Sequence, residues 1–414
     1  MFQRFAVIVF FLTLSILPFG VALQNIFLAL TVLTMFYKSK SSMPFLGLSL
    51  DENLRRATLA MTGMLAVTAG SSALNLVHAP GSVTSYLLGH MSFYTFPLLF
   101  VPFFQRDEMI PNEEVRKCRI FLGFFVLIWG LVILSQWLFE WKLAGLNIVF
   151  DQAYQRARGF YSHPLTLAYV ALTILPAVLH WLRTQKTNII PWLLFGVEIA
   201  AIYLSMSRTV QAVSLIVFIW FILTLNTARV KIGLLILVAV TSITIVLTPN
   251  LISQRLKPIQ NENYRQWSEE KESHYPDDRL AFWHAHWKMI QERPLFGHGA
   301  FLDAQYRRPY FEMIGLQRFK KAYEAHNQYL QIWTEGGIFA LGFFIVWIFY
   351  ILKWCRNFEP KIRHVGYQTL FSFLLAGVTQ NAFHDSEVRY ALMCVLLLGV
   401  WSQYRQIHKL SISG

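Results

Sequence analysis

The chain has 414 residues, 55% hydrophobic and 16% aromatic, but only 14% charged. A soluble chain carries roughly a quarter charged residues, so a soluble enzyme is excluded and a multi-span helical membrane protein is expected. The formal net charge of +13 is not a nucleic-acid footprint, because no polar segment carries a basic stripe with interleaved aromatics.

Apolar runs near span length fall at about 5–19, 22–37, 57–76, 85–104, 119–138, 160–182, 189–205, 209–226, 232–248, 336–353, 365–383 and 389–404. The predicted fold is therefore all-α, a polytopic membrane protein with about 12 transmembrane helices. The first two runs are short and broken at Pro18 and Gly20. They read as a helical hairpin, or as a signal peptide followed by a span, for which Arg4 and the small residues near Gly20 and Ala22 provide the features. The uncleaved hairpin preserves the charge pattern and is preferred.

Orientation follows from Lys and Arg in the short loops. With the N-terminus inside, the inside loops hold Arg4, Lys38, Lys40, Arg55, Arg56, Arg106, Arg116, Lys117, Arg119, Arg183, Lys186, Arg229, Lys231, Lys353, Arg356, Lys361, Arg363, Arg405 and Lys409. The short outside loops carry few cations: Lys142, Arg156, Arg158, Arg208 and Arg389. Both termini are then cytoplasmic and segment 249–335 lies outside. The organisation is one membrane domain: helices one to nine in 1–248, an outside loop in 249–335, and the last three helices with a cytoplasmic tail in 336–414. The outside segment has no cysteine, so no disulfide or cysteine metal site is expected there.

Within that segment, residues 251–275 are polar and irregular. Asp277 and Asp278 can cap a helix, RLAFWHAHWKMIQER, stopped by Pro294, with Leu280, Trp283, Trp287 and Ile290 as an apolar stripe. PLFGHGAF reads as a glycine-punctuated turn. A second helix is predicted from near Phe319 to Glu335, with Tyr323, His326, Leu330 and Trp333 on one face and a bend at Gly336-Gly337. Together they form a two-helix lid on the outer surface.

The outside charges gather at one membrane face. Arginine placed against the positive-inside bias needs a partner, and its planar fork suits phosphate oxygens. A lone interfacial arginine ordinarily snorkels, which is the bland reading for Arg158 and Arg389. Arg208 is harder to dismiss, because the short SMSR turn holds it at a span end among Ser205, Ser207 and Thr209. Arg279 pairs with Asp277 or Asp278, or serves function at a helix start where a cation is unfavourable. His326 is an ordinary interfacial histidine or a general base, since neutral imidazole at pH 7 is suited to that task. His284 and His286 point apart at helical spacing, so no metal site is expected. Glu198 is the one acid deep in a span.

Several segments resemble the O-antigen ligase and polymerase superfamily. They are RARGFYSHPLTLAY, SMSRT, RLAFWHAHWKMIQERPLFGHG, HNQYLQIWTEGGIFAL and NAFHDSEVRYALM, covering about residues 150–400. Their order and spacing carry the resemblance; the Glu-rich stretch before the first lid helix departs from it. The resemblance implies a metal-independent, cofactor-free, inverting glycosyltransferase of the bacterial inner membrane with its active site facing the periplasm. Its donor would be a glycan on undecaprenyl diphosphate and its acceptor lipid A–core oligosaccharide, both presented among membrane lipids. Arg208 and Arg279 would meet the departing diphosphate and His326 would take the acceptor proton. Arg156 and Arg158 would assist, and Arg389 would join substrate binding. Asp385 would orient His326 or bind sugar, Tyr329 and Trp333 would stack on sugar, and Asn327 would fix the imidazole or backbone. One lid and the compact HNQYLQIW favour the ligase. The alternatives are the polymerase, a protein O-oligosaccharyltransferase and, in a different class, a lipid-linked glycan flippase.

Overall fold

The computed structural model describes residues 51–74, 112–139, 142–143, 148–149, 156–161, 163–184, 189–225, 227–228, 231–234, 236, 278–300, 304–315, 324–385, 387–393 and 395–396. The spans expected at 5–19, 22–37 and 85–104, most of those at 232–248 and 389–404, and segment 249–277 lie outside the described residues.

Helix α1 (Glu52–Leu74) lies along the longest of the described helices, α8 (Gln328–Arg356). Apolar solvent gives helices no hydrophobic reason to associate, so close backbone approach and satisfied polar groups must do it. The buried face of α1 is built accordingly, with Ala57, Ala60, Thr68, Ser71 and Ser72. Thr68 and Ser72 hydroxyls donate back to the Met64 and Thr68 carbonyls at 3.0 and 2.9 Å. Gly336 of α8 sits against Thr68, where an added Cβ would come within 2.5 Å of Oγ1.

Helix α3 (Pro164–Thr184) is apolar all round and buried along nearly its whole length, as expected for a central helix. It starts with Pro164 at a position that needs no amide proton, and it packs against α4 (Ile190–Leu204), α5 (Arg208–Leu223) and α9 (Pro360–Ala376). Helix α2 (Asn112–Phe139) covers α4. After it, Lys142–Leu143 pairs antiparallel with Ile148–Val149.

Among the described residues, three helices are long and apolar enough to cross a membrane, α1, α3 and α8; α4, α5 and Val126–Phe139 are shorter apolar helices. Exposed apolar side chains such as Phe124, Leu131, Trp192, Ile199, Phe339 and Phe349 cover their outer faces. A water-facing surface would not tolerate so much apolar area, and these helices mark a membrane protein.

The loop segment differs from the sequence reading in three ways. Helix α6 (Asp278–Glu292) forms as expected, but its buried face is Ala281, Phe282, Ala285, Met289 and Ile290; of the expected stripe Ile290 is buried, while Leu280 and Trp287 are 41% and 42% exposed. The reason is a partner the sequence hid: α7 (Ala304–Met313) brings Tyr310 and Phe311 to that face. Pro309 inside α7 disguises it.

The helix expected from Phe319 does not run through 324–327, which are non-helical; α8 starts at Gln328. Asn327 has extended backbone (φ −151°, ψ 112°), and its side chain accepts from the Tyr329 and Leu330 amides, a cap that terminates the helix there. His326 therefore sits before the helix, and it does not share a helical face with Leu330 and Trp333.

The expected bend at Gly336-Gly337 is a kink inside α8. Gly337 adopts φ 70°, ψ −170°, a region open essentially to glycine alone. The kink frees carbonyls that a regular helix would occupy. Loop 294–300 takes them over: the His298 amide donates to Thr334 O at 2.8 Å and the Gly299 amide to Glu335 O at 2.9 Å, while Ile338 N–H donates to Pro294 O at 2.9 Å. Every freed group needs such a partner in a water-poor interior. The kink thus locks α6 and its loop onto α8, and Ser72 of α1 holds the same loop through the Ala300 amide at 2.8 Å.

Candidate active site

Two non-glycine residues among those described have positive φ, Met206 (54°) and His326 (47°). Such strain persists only where surrounding structure enforces it, and it concentrates at functional sites. Met206 lies in the tight turn between α4 and α5, two residues before Arg208. His326 is the histidine singled out from the sequence.

These two strained segments meet at the turn after α9. Thr379 Oγ1 donates to Thr209 Oγ1 at 3.0 Å. The adjacent Gln380 Oε1 lies 2.9 Å from His326 Nδ1. Thr379 also bonds Tyr169 of α3, and that tyrosine feels the charge of Arg279. Phe282, three residues after Arg279 on α6, packs its ring 5.7 Å from the His326 ring. The structure thus brings together the segments that carry Arg208, Arg279 and His326, through Thr209, Phe282 and the Thr379–Gln380 turn.

Both arginines occupy the first turn of a helix, Arg208 in α5 and Arg279 in α6. A cation there opposes the helix macrodipole. Ser207 makes no side-chain cap bond at the start of α5. Helix N-termini attract anions, so an anion bound at either start would meet a guanidinium as well as backbone amides. Arg208 is exposed and Arg279 half-buried.

The segment of Arg156 and Arg158 reaches the same end of the bundle. The Ala157 amide donates to Leu204 O at 3.1 Å, four residues before Arg208. Gln136 of α2 holds the segment by accepting from the Arg158 and Gly159 amides at 3.1 and 2.8 Å and donating to Gly159 O at 2.8 Å.

A cavity of about 420 Å³ has Gln380, the partner of His326, in its wall, while His326, Arg208 and Arg279 are not among its lining residues. Gln331, Thr334 and Glu335 of α8 form one wall, and Gln380, Asn381, His384 and Asp385 another; His286, Arg307 and Glu324 complete the lining with Gly299. Gln331, Thr334 and Glu335 fall at i, i+3 and i+4 on an otherwise apolar helix. That polar stripe was the available signal in the sequence, and it was missed in favour of the aromatic residues.

The cavity walls are wired together. Glu335 Oε2 lies 2.9 Å from His384 Nε2. Gln331 Nε2 donates to Glu335 Oε1 at 2.7 Å, and Gln331 Oε1 accepts from the Ala325 amide at 3.0 Å. Asn381 donates to Glu324 at 2.7 Å. His286 Nδ1 lies 3.1 Å from Thr334 Oγ1. Burial alone would lower the His384 pKa, but the Glu335 carboxylate outweighs it, with Glu324 adding, and the imidazole is held above its ordinary value. Burial would raise Glu324; the charge of His384, the Asn381 bond and Arg307 instead hold it below the usual carboxylate range.

Asp385 accepts from Thr166 Oγ1 at 2.6 Å. Burial, then the neighbouring Glu387, push its carboxyl well above the ordinary range. It lines the cavity. Arg389 is 2% exposed, and its Nη1 donates to Phe383 O at 2.7 Å, so it braces the turn that carries His384 and Asp385.

The remaining candidates have other tasks in this fold. Asn327 caps α8. Tyr329 donates its hydroxyl to Leu374 O at 2.7 Å and meets Phe344 edge-on. Trp333 donates to Pro294 O at 3.1 Å and packs edge-on with Trp287. Neither aromatic side chain is among the cavity walls. His298, outside the cavity, is held between Tyr306 OH at 2.8 Å and Met289 O at 2.7 Å, and burial lowers its pKa. No group of three or more His, Cys, Asp or Glu side chains suited to a metal occurs among the described residues.

Residues 192–345, from α4 through most of α8, match the family model described as O-antigen ligase. The matched stretch contains Arg208, Arg279 and His326. No curated protein matches the chain.

Proposed function

We propose, because residues 192–345 match the family model described as O-antigen ligase, that this membrane protein is a glycosyltransferase that transfers a glycan from undecaprenyl diphosphate to lipid A–core oligosaccharide. The reaction takes place at the periplasmic face of the bacterial inner membrane. The observation that supports the reading is the meeting, at Thr379 and Gln380, of the segments that carry Arg208, Arg279 and His326.

In this reaction the acceptor hydroxyl oxygen attacks the anomeric carbon of the donor sugar. The bond from that carbon to the diphosphate oxygen breaks, and the lipid diphosphate leaves with the electron pair. His326 accepts the hydroxyl proton, a contribution of roughly a hundred- to ten-thousandfold. Arg208 and Arg279, each beside a helix N-terminus, stabilise the negative charge that builds on the leaving oxygens. Fixed cations and dipoles aimed at developing charge are worth most in a site that excludes water. Arg156 and Arg158 add positive potential at the same end of the bundle. A single displacement inverts the anomeric centre, and no metal is required. The polar cavity with Gln380 in its wall offers amide and carboxylate partners for acceptor sugar hydroxyls, with Asp385 among them.

The test is a reconstitution of the purified chain with lipid-linked glycan, offering lipid A–core and a second lipid-linked glycan as competing acceptors. Glycan joined to lipid A–core is the expected product; a lengthened lipid-linked glycan would make the chain a polymerase, which the same family and site chemistry also suit. His326→Ala and Arg279→Ala should each abolish transfer, and Arg208→Lys should lose about a hundredfold or more, because lysine lacks the two-pronged geometry. Full transfer by these variants at normal protein level would overturn the reading. Transfer should persist in a chelator.

A further inference from the structure

We infer that Gln380 is a positioning residue for the base: its amide oxygen fixes the tautomer of His326 with the proton on Nδ1 and turns Nε2 toward the reaction. The inference rests on His326 acting as the base.

The geometry begins with the bond itself. Gln380 Oε1 lies 2.9 Å from His326 Nδ1. An amide oxygen only accepts, so Nδ1 must carry the proton, and a neutral imidazole then has its lone pair on Nε2. Among the described residues, the hydrogen bond of this imidazole is the one at Nδ1.

Gln380 is itself held. Thr379, its neighbour on one side, is tied to Thr209 at 3.0 Å. Asn381, its neighbour on the other, donates to Glu324 at 2.7 Å, two residues before His326. The turn therefore grips the His326 segment twice, at the imidazole and at Glu324. On the histidine side, Phe282 lies against the ring, and the Asn327 cap and the Gln331 bond to the Ala325 amide hold the left-handed backbone on either side. A base fixed at one nitrogen, one face and its own backbone has its free nitrogen set in direction.

The type of residue also matters. A carboxylate in place of Gln380 would select the same tautomer but would hold the proton on the imidazolium. A neutral amide orients without trapping. The charged and titratable groups in this corner include Glu324, with which His326 interacts, Arg307 and His384, which act on Glu324, Glu335, which pairs with His384, Asp385 in the cavity wall, and Arg279 on the helix of Phe282.

The experiment uses the full chain in detergent or nanodiscs, labelled with ¹⁵N-histidine, with the His326 signals identified by their loss in His326→Ala. The wild type should show Nδ1 protonated and Nε2 as the bare nitrogen. Gln380→Leu should redistribute the proton toward Nε2 and lower kcat about tenfold or more, with KM nearly unchanged, as expected when part of a general-base contribution is lost. Gln380→Glu should keep the tautomer and move the acid limb of kcat to higher pH, a change that a merely structural role would not produce. A wild-type spectrum with the proton on Nε2 would overturn the inference and leave the base reading intact. So would an unchanged acid limb in Gln380→Glu. If His326→Ala keeps full transfer, the base reading fails and takes this inference with it. Should Gln380→Leu fail to fold, the wild-type spectrum and the Gln380→Glu profile still decide.

Discussion

Thr379 donates its hydroxyl to the Thr209 hydroxyl across 3.0 Å, joining the residue after Arg208 to the residue before Gln380. Residues far apart in the chain are thereby set one peptide unit from the proposed phosphate clamp and one from the residue that holds the proposed base. If this bond matters for alignment, Thr209→Val and Thr379→Val should each reduce transfer. Their effects should not add in the double variant, with a coupling of about 1 kcal/mol. A reconstituted transfer assay on all four proteins measures it.

Gly337 should tolerate no side chain. At φ 70° and ψ −170° an alanine is strained, and its Cβ would collide with the Leu295 carbonyl. Gly337→Ala should lose about 2 kcal/mol or more and weaken the docking of loop 294–300. Gly342→Ala, in the same helix with open space around it, should be neutral or stabilise by up to about 1 kcal/mol. Thermal unfolding in detergent compares the two.

The Glu335–His384 pair should make stability depend on pH in a defined direction. His384 has a raised value in the folded chain, against roughly 6.5 when unfolded. Its contribution is therefore fully present below that unfolded value and is lost as pH rises through the folded one. Unfolding midpoints measured across that window should fall with rising pH in the wild type. In His384→Gln that part of the slope should vanish.

Asn327 separates a structural from a recognition role. Its side chain accepts from two amides at the start of α8, so Asn327→Ala should cost about 1 kcal/mol. Asn327→Asp and Asn327→Ser keep a cap and should retain both stability and transfer. Lost transfer at full stability in those two variants would instead show that the amide meets substrate.

Much of the fold was legible because membrane helices announce themselves. The runs at 57–76, 160–182 and 336–353 correspond to α1, α3 and α8, since twenty apolar residues in water-poor surroundings have few options besides a helix. Helix α6 was found from its start and stop residues, yet of its expected buried face Ile290 is buried and Leu280 and Trp287 are exposed. Leu280 and Trp287 are as apolar as Phe282 and Met289, and only the arrival of α7 decided which side was covered. Helix α7 was missed because a proline argues against a helix interior, and the start of α8 was misplaced because the capping strength of Asn327 was overlooked.

Arg208, Arg279 and His326 could be singled out because each residue type is chemically out of keeping with its position, a cation at a helix start or an imidazole at the edge of an apolar run. Gln380, Gln331, Glu335 and Glu324 carried no such contrast. Their importance lies in partners that are distant in the chain, such as the 54 positions between His326 and Gln380.

The amino-acid sequence by itself determined a membrane-embedded helical chain with arginines and a histidine set against the expected charge pattern, because hydropathy and charge act locally and residue by residue. Only the tertiary structure decided that the segments carrying these groups meet at Thr379 and Gln380, that α8 breaks at Gly337 to dock a loop, and that Gln380 stands in the wall of a polar cavity. Those outcomes depend on which distant surfaces fit together, and no local preference encodes that fit.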